Sequence, residues 1–183
     1  MASILSHPAV ALGLKPWFQH SGFLPRIWLL GAVCTILPDA DVIAFRFGIP
    51  YGAMFGHRGF THSFVFAVLL SVLLVGFSTR FGVRRSSRLA LSVYLFLCTA
   101  SHGVFDAMTS GGLGVAFFAP FSSERYFFPW RPIRVSPLAV SGFFSARGLA
   151  ILRSELLWVW LPVLTVGLVG ARLWSRKTQR RPT

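Results

Sequence analysis

The sequence predicts an all-α integral membrane helical bundle, and three observations carry that prediction. Of 183 residues, 54% are hydrophobic and only 13% are charged, about half the charged fraction of a soluble domain. The apolar residues gather into long runs at residues 64–77, 89–100 and 156–174, interrupted mainly by Ser, Thr, Gly or Cys. The basic residues crowd the ends of such runs: Arg80, Arg84, Arg85 and Arg88 in one short linker, and Arg172, Arg176, Lys177, Arg180 and Arg181 at the C-terminus. The length favours a single domain, residues 1–183.

Taken in order, the elements begin with a short helical hairpin. Residues 4–14 and 27–37 are apolar but reach only about 15–20 Å at 1.5 Å per residue, too little to span comfortably alone. The polar, turn-rich stretch KPWFQHSGFLPR joins them. The opening MASILSHPAVALGL has no basic n-region, and His7 and Pro8 break its apolar run, so it does not read as a cleaved signal. Extended to their flanks, the three long runs predict spans at residues 61–78, 89–108 and 155–174, near the about 20 residues that a crossing helix needs. The long loop 109–154 carries Phe117, Phe118, Phe121, Phe127, Phe128 and Trp130, which suits a lid at the membrane interface. Cys34 and Cys98 fall inside apolar runs and form no CxxC pair, so buried packing is their default reading.

A net charge of +13 raises the possibility of nucleic acid, but its placement follows the positive-inside rule and favours anionic headgroups instead. Membrane lipids are therefore the expected partners, and nucleic acid is not. With the Arg80–Arg88 linker and the C-terminus cytoplasmic, alternation puts loop 109–154 on the outer side. Arg125, Arg131, Arg134, Arg147 and Arg153 in that loop weigh against this orientation, but the relative sidedness of the segments is independent of it.

That sidedness brings unusual residues to one membrane face. Asp39 and Asp41 end the second hairpin arm, His57 and His62 open the next helix, and His102 and Asp106 close the one after it. His7, in the first arm, falls on the same side. Three of the five acidic residues thus lie within or against apolar runs, where an aspartate is costly unless paired, hydrated or ligating.

Each motif also has a plainer reading. His102 and Asp106 are spaced i,i+4 on one helical face, which suits ligation or a simple His–Asp hydrogen bond. Asp39 and Asp41 follow Pro38 and point the same way only in extended backbone; the alternative is an Asx turn. His57 and His62 are i,i+5, so a regular helix cannot present both, and Thr61 or Ser63 there is a helix cap. Arg58 is a candidate for gripping a phosphate, or an interfacial arginine. Arg125, Arg131 and Arg134 are candidates for lipid phosphate, or headgroup anchors. Glu155 reads first as a dipole partner opening the last helix and second as a site carboxylate. No GxSxG, HExxH or P-loop is present. Together, the mixed His/Asp set suits zinc, with manganese or iron as alternatives, and one or more ions.

The stretches LPDAD, HRGFTHS, SHGVFDAMTSGG and PFSSERYFFPWRPI, in this order after a His-bearing N-terminal arm, resemble the inner-membrane metal-dependent hydrolases. That family has members regulated by the LexA repressor, and it is distantly similar to the all-helical zinc-dependent phospholipase C group. The resemblance covers nearly the whole chain. It implies a multi-pass protein of the bacterial cytoplasmic membrane with metal-dependent hydrolase activity, its ligands drawn from His7, Asp39, Asp41, His57, His62, His102 and Asp106. The expected function is hydrolysis of a phosphoester in a lipid or membrane-proximal substrate. Asp41 and Asp106 are expected to serve catalysis, and Arg58, Arg125 and Arg131 to hold the substrate. Two other classes stay open: a cation transporter or ion relay using the same residues, and a non-catalytic lipid-binding scaffold with a structural metal.

Overall fold

The computed structural model describes residues 3–136 and 145–179. Part of the expected interfacial loop, residues 137–144, lies outside them, as do Arg180 and Arg181 of the basic tail. Helix α1, Ala9–Leu14, runs into a 3₁₀ segment, Lys15–Ser21, and the chain returns as α2, Pro25–Ile36. This is the expected hairpin. Pro25 opens α2 at the position where a missing N–H costs nothing.

The second arm is longer than its apolar run suggests. At Pro38 the α-helix tightens into a 3₁₀ segment, Leu37–Phe47, because proline removes a backbone donor. The chain nonetheless stays helical from Pro25 to Phe47, 23 residues, long and apolar enough to cross a membrane. The arm expected to fall short is therefore one of three such helices.

The converse correction applies to residues 61–78. Helix α3 is only Phe64–Gly76, 13 residues, or about 20 Å at 1.5 Å per residue, short of a hydrocarbon core of about 30 Å. Ser63 starts it, its hydroxyl accepting from the Phe66 N–H at 3.0 Å, so the capping reading holds for Ser63. A 3₁₀ turn precedes it at Phe60–His62 and another follows at Ser78–Phe81. Helix α4, Arg88–Ala107, continues from a 3₁₀ turn at Arg85 to give the second long helix, 23 residues in all.

The third runs unbroken from Ala146 to Gln179, 34 residues, and so begins before the expected span 155–174. It consists of α5, Ala146–Glu155, a π-helical turn, Leu156–Trp160, and α6, Leu161–Gln179. Pro162 accounts for the widened turn: its ring clashes with the carbonyl four residues back, at Trp158, and that carbonyl loses its donor. Glu155 therefore sits inside a helix and not at its start. It is 1% exposed and accepts hydrogen bonds from Ser6 Oγ at 2.8 Å, Ser3 Oγ at 2.5 Å and the Ser3 N–H. Those bonds tie the N-terminal segment to the last helix.

Helix α4 is the centre of the bundle, packing against α1, α2 and α3, while α1 also packs on α6. Ile27, Leu91, Tyr94, Leu95 and both free cysteines form the main core, so packing is the role the structure gives Cys34 and Cys98. Apolar residues on α3 and α6 such as Leu69, Leu73, Leu164 and Leu168 are exposed, as expected for helices surrounded by lipid. Gly31 allows α2 to meet α4: a Cβ there would lie 2.1 Å from Tyr94 Oη. Gly31→Ala is expected to cost about 1–3 kcal/mol through overpacking. A melting temperature in detergent unchanged from wild type would contradict this contact.

Candidate metal centre

The centre forms where α1, α2, α3 and α4 bring their polar ends together. The 3₁₀ segment after Pro38 sets the directions of its two aspartates. Successive residues there turn by about 120°, so Asp39 and Asp41 diverge instead of pointing the same way, and they flank His62 from two sides. Asp39 Oδ1 lies 3.6 Å from His62 Nε2 and 3.3 Å from His102 Nε2. Asp41 Oδ2 lies 3.1 Å from His62 Nδ1.

Four buried groups converge: single ligand atoms of Asp39, His62, His102 and Asp106 all lie within 4.8 Å of one another. The ring orientations are set from behind. His102 Nδ1 lies 2.7 Å from the Thr35 carbonyl oxygen, so it must donate, and Nε2 faces the cluster with its lone pair. His62 Nδ1 faces the Asp41 carboxylate, which likewise turns Nε2 inward. The two Nε2 atoms are 3.1 Å apart. Neither oxygen of Asp39 has a hydrogen-bond partner among the described residues. Two facing nitrogen lone pairs beside bare buried carboxylate oxygens call for a cation, because burial without compensation is costly. The donor set, two imidazoles and two carboxylates, fits zinc, manganese or iron.

In the metal-free protein a proton takes that place. Burial alone would push the His62 imidazolium down, but the carboxylates of Asp106, Asp39 and Asp41 around it outweigh burial and raise its pKa to about 10. His7 goes the other way, down to about 3, from burial and the neighbouring His102, which outweigh Asp106 and Asp39. His7 stacks on His102 with ring centroids 3.9 Å apart, and its Nε2 is 3.9 Å from Asp106 Oδ1. It therefore stands at the rim of the four-residue cluster, and neither of its nitrogens has a hydrogen-bond partner among the described residues.

Asp41 and His57 belong to a different arrangement. Asp41 faces His57 Nδ1 at 2.6 Å, the Thr61 hydroxyl at 2.7 Å and the Arg58 N–H at 3.1 Å, besides His62. Asp41, His57 and His62 could in principle hold an ion of their own, but that would require His62 to ligate through both nitrogens. The short contacts make Asp41 a hydrogen-bonding hub that orients His62. One contact at Oδ1 and three at Oδ2 favour this orienting role over direct catalysis.

The arginines depart further from expectation. Arg58 is fully buried and in a left-handed conformation, φ 63°. Its Nε lies 2.9 Å from Asp106 Oδ2, Nη1 donates to the Gly111 carbonyl at 2.9 Å, and Nη2 donates to Thr109 Oγ1 at 3.0 Å. It holds Asp106 and cannot grip a substrate phosphate. Arg125 donates to the carbonyls of His57, Tyr51 and Ala53 at 3.0–3.1 Å, stapling the loop that carries His57. Arg131 is exposed, over the Phe127 ring at 4.7 Å. For Arg58 and Arg125 the expected substrate-holding role gives way to structural ones.

Other participants left no signal in the sequence, or only a faint one. Thr35 acts through its backbone carbonyl, which no side-chain pattern encodes. Thr109, three residues after Asp106, donates to the Asp106 carbonyl at 2.7 Å. Gly103 lets α4 approach the His62 backbone: a Cβ there would lie 2.7 Å from the His62 carbonyl oxygen.

This centre lies within a chain whose relatives are membrane proteins. The inner membrane protein YbcI of Escherichia coli (strain K12) is 39% identical over 177 residues, which cover 97% of this chain and 100% of that protein. No solved structure matches the chain. A model of the YdjM inner membrane protein family matches residues 3–178, and the chain belongs to that family.

Proposed function

We propose that the protein is a multi-pass, metal-dependent hydrolase of the inner membrane, acting on a phosphoester in a lipid or at the membrane surface. The observation that carries this reading is the meeting of two imidazole nitrogens, 3.1 Å apart, and two buried carboxylates from separate segments. Asp39, His62, His102 and Asp106 would hold a divalent ion, with His7 beside them. Such an ion supplies Lewis-acid polarisation of a phosphoryl oxygen and a more acidic water. Asp39 has the most exposed side chain of the four, 9% against 0% for His62 and Asp106. Its oxygens accept no hydrogen bond among the described residues, which favours Asp39, through the oxygen left free by the ion, as the group that meets a substrate and accepts a proton. Arg58 keeps Asp106 charged and oriented, and Asp41 keeps the His62 ring turned. The arginines at the opposite end of the bundle, Arg84, Arg85, Arg88, Arg172 and Arg176, favour a cytoplasmic C-terminus and a site near the outer face.

The near-complete burial of these ligands also favours a second reading, a structural metal in a non-catalytic lipid-binding scaffold. Hydrolysis of phosphomonoester, phosphodiester and phospholipid substrates by detergent-purified protein, metal-loaded against metal-stripped, separates the two. The hydrolase reading expects turnover that needs metal and is lost in Asp39→Asn. Metal-loaded protein that melts higher yet turns over nothing in the panel would establish the scaffold instead.

A further inference from the structure

A second feature stands apart from the metal centre and needs no hydrolase activity: a pair of clefts on α5. Residues 156–174 supply about 28 Å of apolar helix, nearly the whole hydrocarbon thickness of about 30 Å, so α5 stands at headgroup level. Trp158, in the π-helical turn that follows it, packs edge-on against Trp130 with centroids 4.4 Å apart, as aromatics settle at the interface.

One cleft, about 400 Å³, is lined by Arg134, Arg153, Ser154 and Trp158 among others. The other, about 520 Å³, shares Leu149 and Arg153 with it and is otherwise mainly apolar, with Leu152 and Leu156 in its wall. Leu149, Leu152 and Leu156 follow helical spacing and form one exposed stripe. The Ser154 hydroxyl accepts from the Arg134 N–H at 3.0 Å, which fixes the segment bearing Arg134 beside α5. Among the described residues neither arginine has a carboxylate partner. Glu155, which borders the apolar cleft, is already committed to Ser3 and Ser6. A polar cleft with two uncompensated guanidinium groups thus opens onto an apolar one at the depth where phosphates meet acyl chains.

The geometry points to a binding site for an anionic phospholipid, its phosphate between Arg134 and Arg153 and an acyl chain along Leu149, Leu152 and Leu156. Arginine is suited to this because its planar fork engages phosphate oxygens in pairs. Two positive charges with no carboxylate partner among the described residues favour an anionic headgroup over a zwitterionic one.

Native mass spectrometry of the full chain, titrated with phosphatidylglycerol or phosphatidylcholine of the same acyl chains, tests the site. Phosphatidylglycerol is expected to be retained in preference. Arg134→Ala and Arg153→Ala should each weaken its retention about fivefold, while Arg172→Ala and Arg176→Ala weaken it clearly less. Both cleft arginines are clear of the metal centre, and an unchanged melting temperature of the variants in detergent shows that the fold survives. Equal retention of the two lipids would overturn the proposal, as would equal losses from all four substitutions. Glycerol phosphate binding as tightly as the lipid would overturn it too, by showing that the acyl stripe contributes nothing.

Discussion

Protein carrying Asp39→Ala or His102→Ala is expected to purify without stoichiometric divalent metal, whereas wild type prepared without chelator carries it. Each substitution removes one of four ligands and leaves facing groups with nothing to hold an ion between them. Metal analysis of the detergent-purified proteins reads this directly. His57→Ala should behave differently, because His57 is not one of the four converging residues and meets them only through Asp41 and an edge-on contact with the His62 ring. Loss of such an outer partner typically weakens metal affinity about 10–100-fold without abolishing it. Wild type devoid of metal would remove the basis for both catalytic and structural readings of the centre.

The same centre predicts the sign of the pH dependence. In the metal-free protein the His62 pKa is raised from 6.5 to about 10, so this proton stabilises the metal-free fold fully below 6.5. That contribution is lost as pH rises through about 10. An ion at Nε2 must displace the proton, so metal binding releases it, and apparent affinity rises with pH by up to about tenfold per unit below 10. His7, lowered to about 3, is neutral throughout this range and adds no proton to the exchange. A competition titration at pH 7, 8 and 9 showing flat or falling affinity would contradict the placement of His62.

Arg58→Met is expected to destabilise the protein by about 3–5 kcal/mol, the cost of leaving a buried charge without its partner. Here the stranded groups are the Asp106 carboxylate, the Thr109 hydroxyl and the Gly111 carbonyl. At 2–4 °C per kcal/mol, the melting temperature in detergent should fall by roughly 6–20 °C. Added divalent metal should recover part of the loss, because it neutralises the same carboxylate. Arg58→Lys keeps the charge but cannot span all three acceptors, so it should fall between wild type and Arg58→Met. A phosphate-gripping arginine would behave otherwise: its loss would impair substrate binding and leave stability nearly untouched.

The legible part of the site was its sidedness. Once residues 27–37, 64–77 and 89–100 were read as helical, their order along the chain sent His62 to the same end as Asp39 and His102. The span assignments were less secure. Hydropathy could not see that the chain stays helical through Pro38 to Phe47, and it credited residues 61–78 with a length that α3 does not have. Apolar composition reports where lipid or core will be, not how far backbone hydrogen bonding continues.

Glu155 and Arg58 show the other limit. Local rules make Glu155 a helix-start carboxylate and Arg58 a phosphate-gripping or interfacial arginine. Both turned out to be buried and tied to distant residues, Ser3 and Ser6 in one case and Asp106 in the other. A charged side chain's role depends on which partner packing brings within about 3 Å, and no spacing rule spans 48 or 149 residues.

The sequence by itself determined that this is an all-helical membrane protein with its three aspartates and four of its five histidines gathered at one end, because hydropathy and chain order are one-dimensional properties. Only the tertiary structure separated Asp39, bare and facing the centre, from Asp41, two residues away and saturated with donors. The cause is the 3₁₀ winding after Pro38, which turns the two side chains to different sides of His62. Whether an aspartate ligates or orients is decided by that rotation and by ångström-scale packing, neither of which the residue type records.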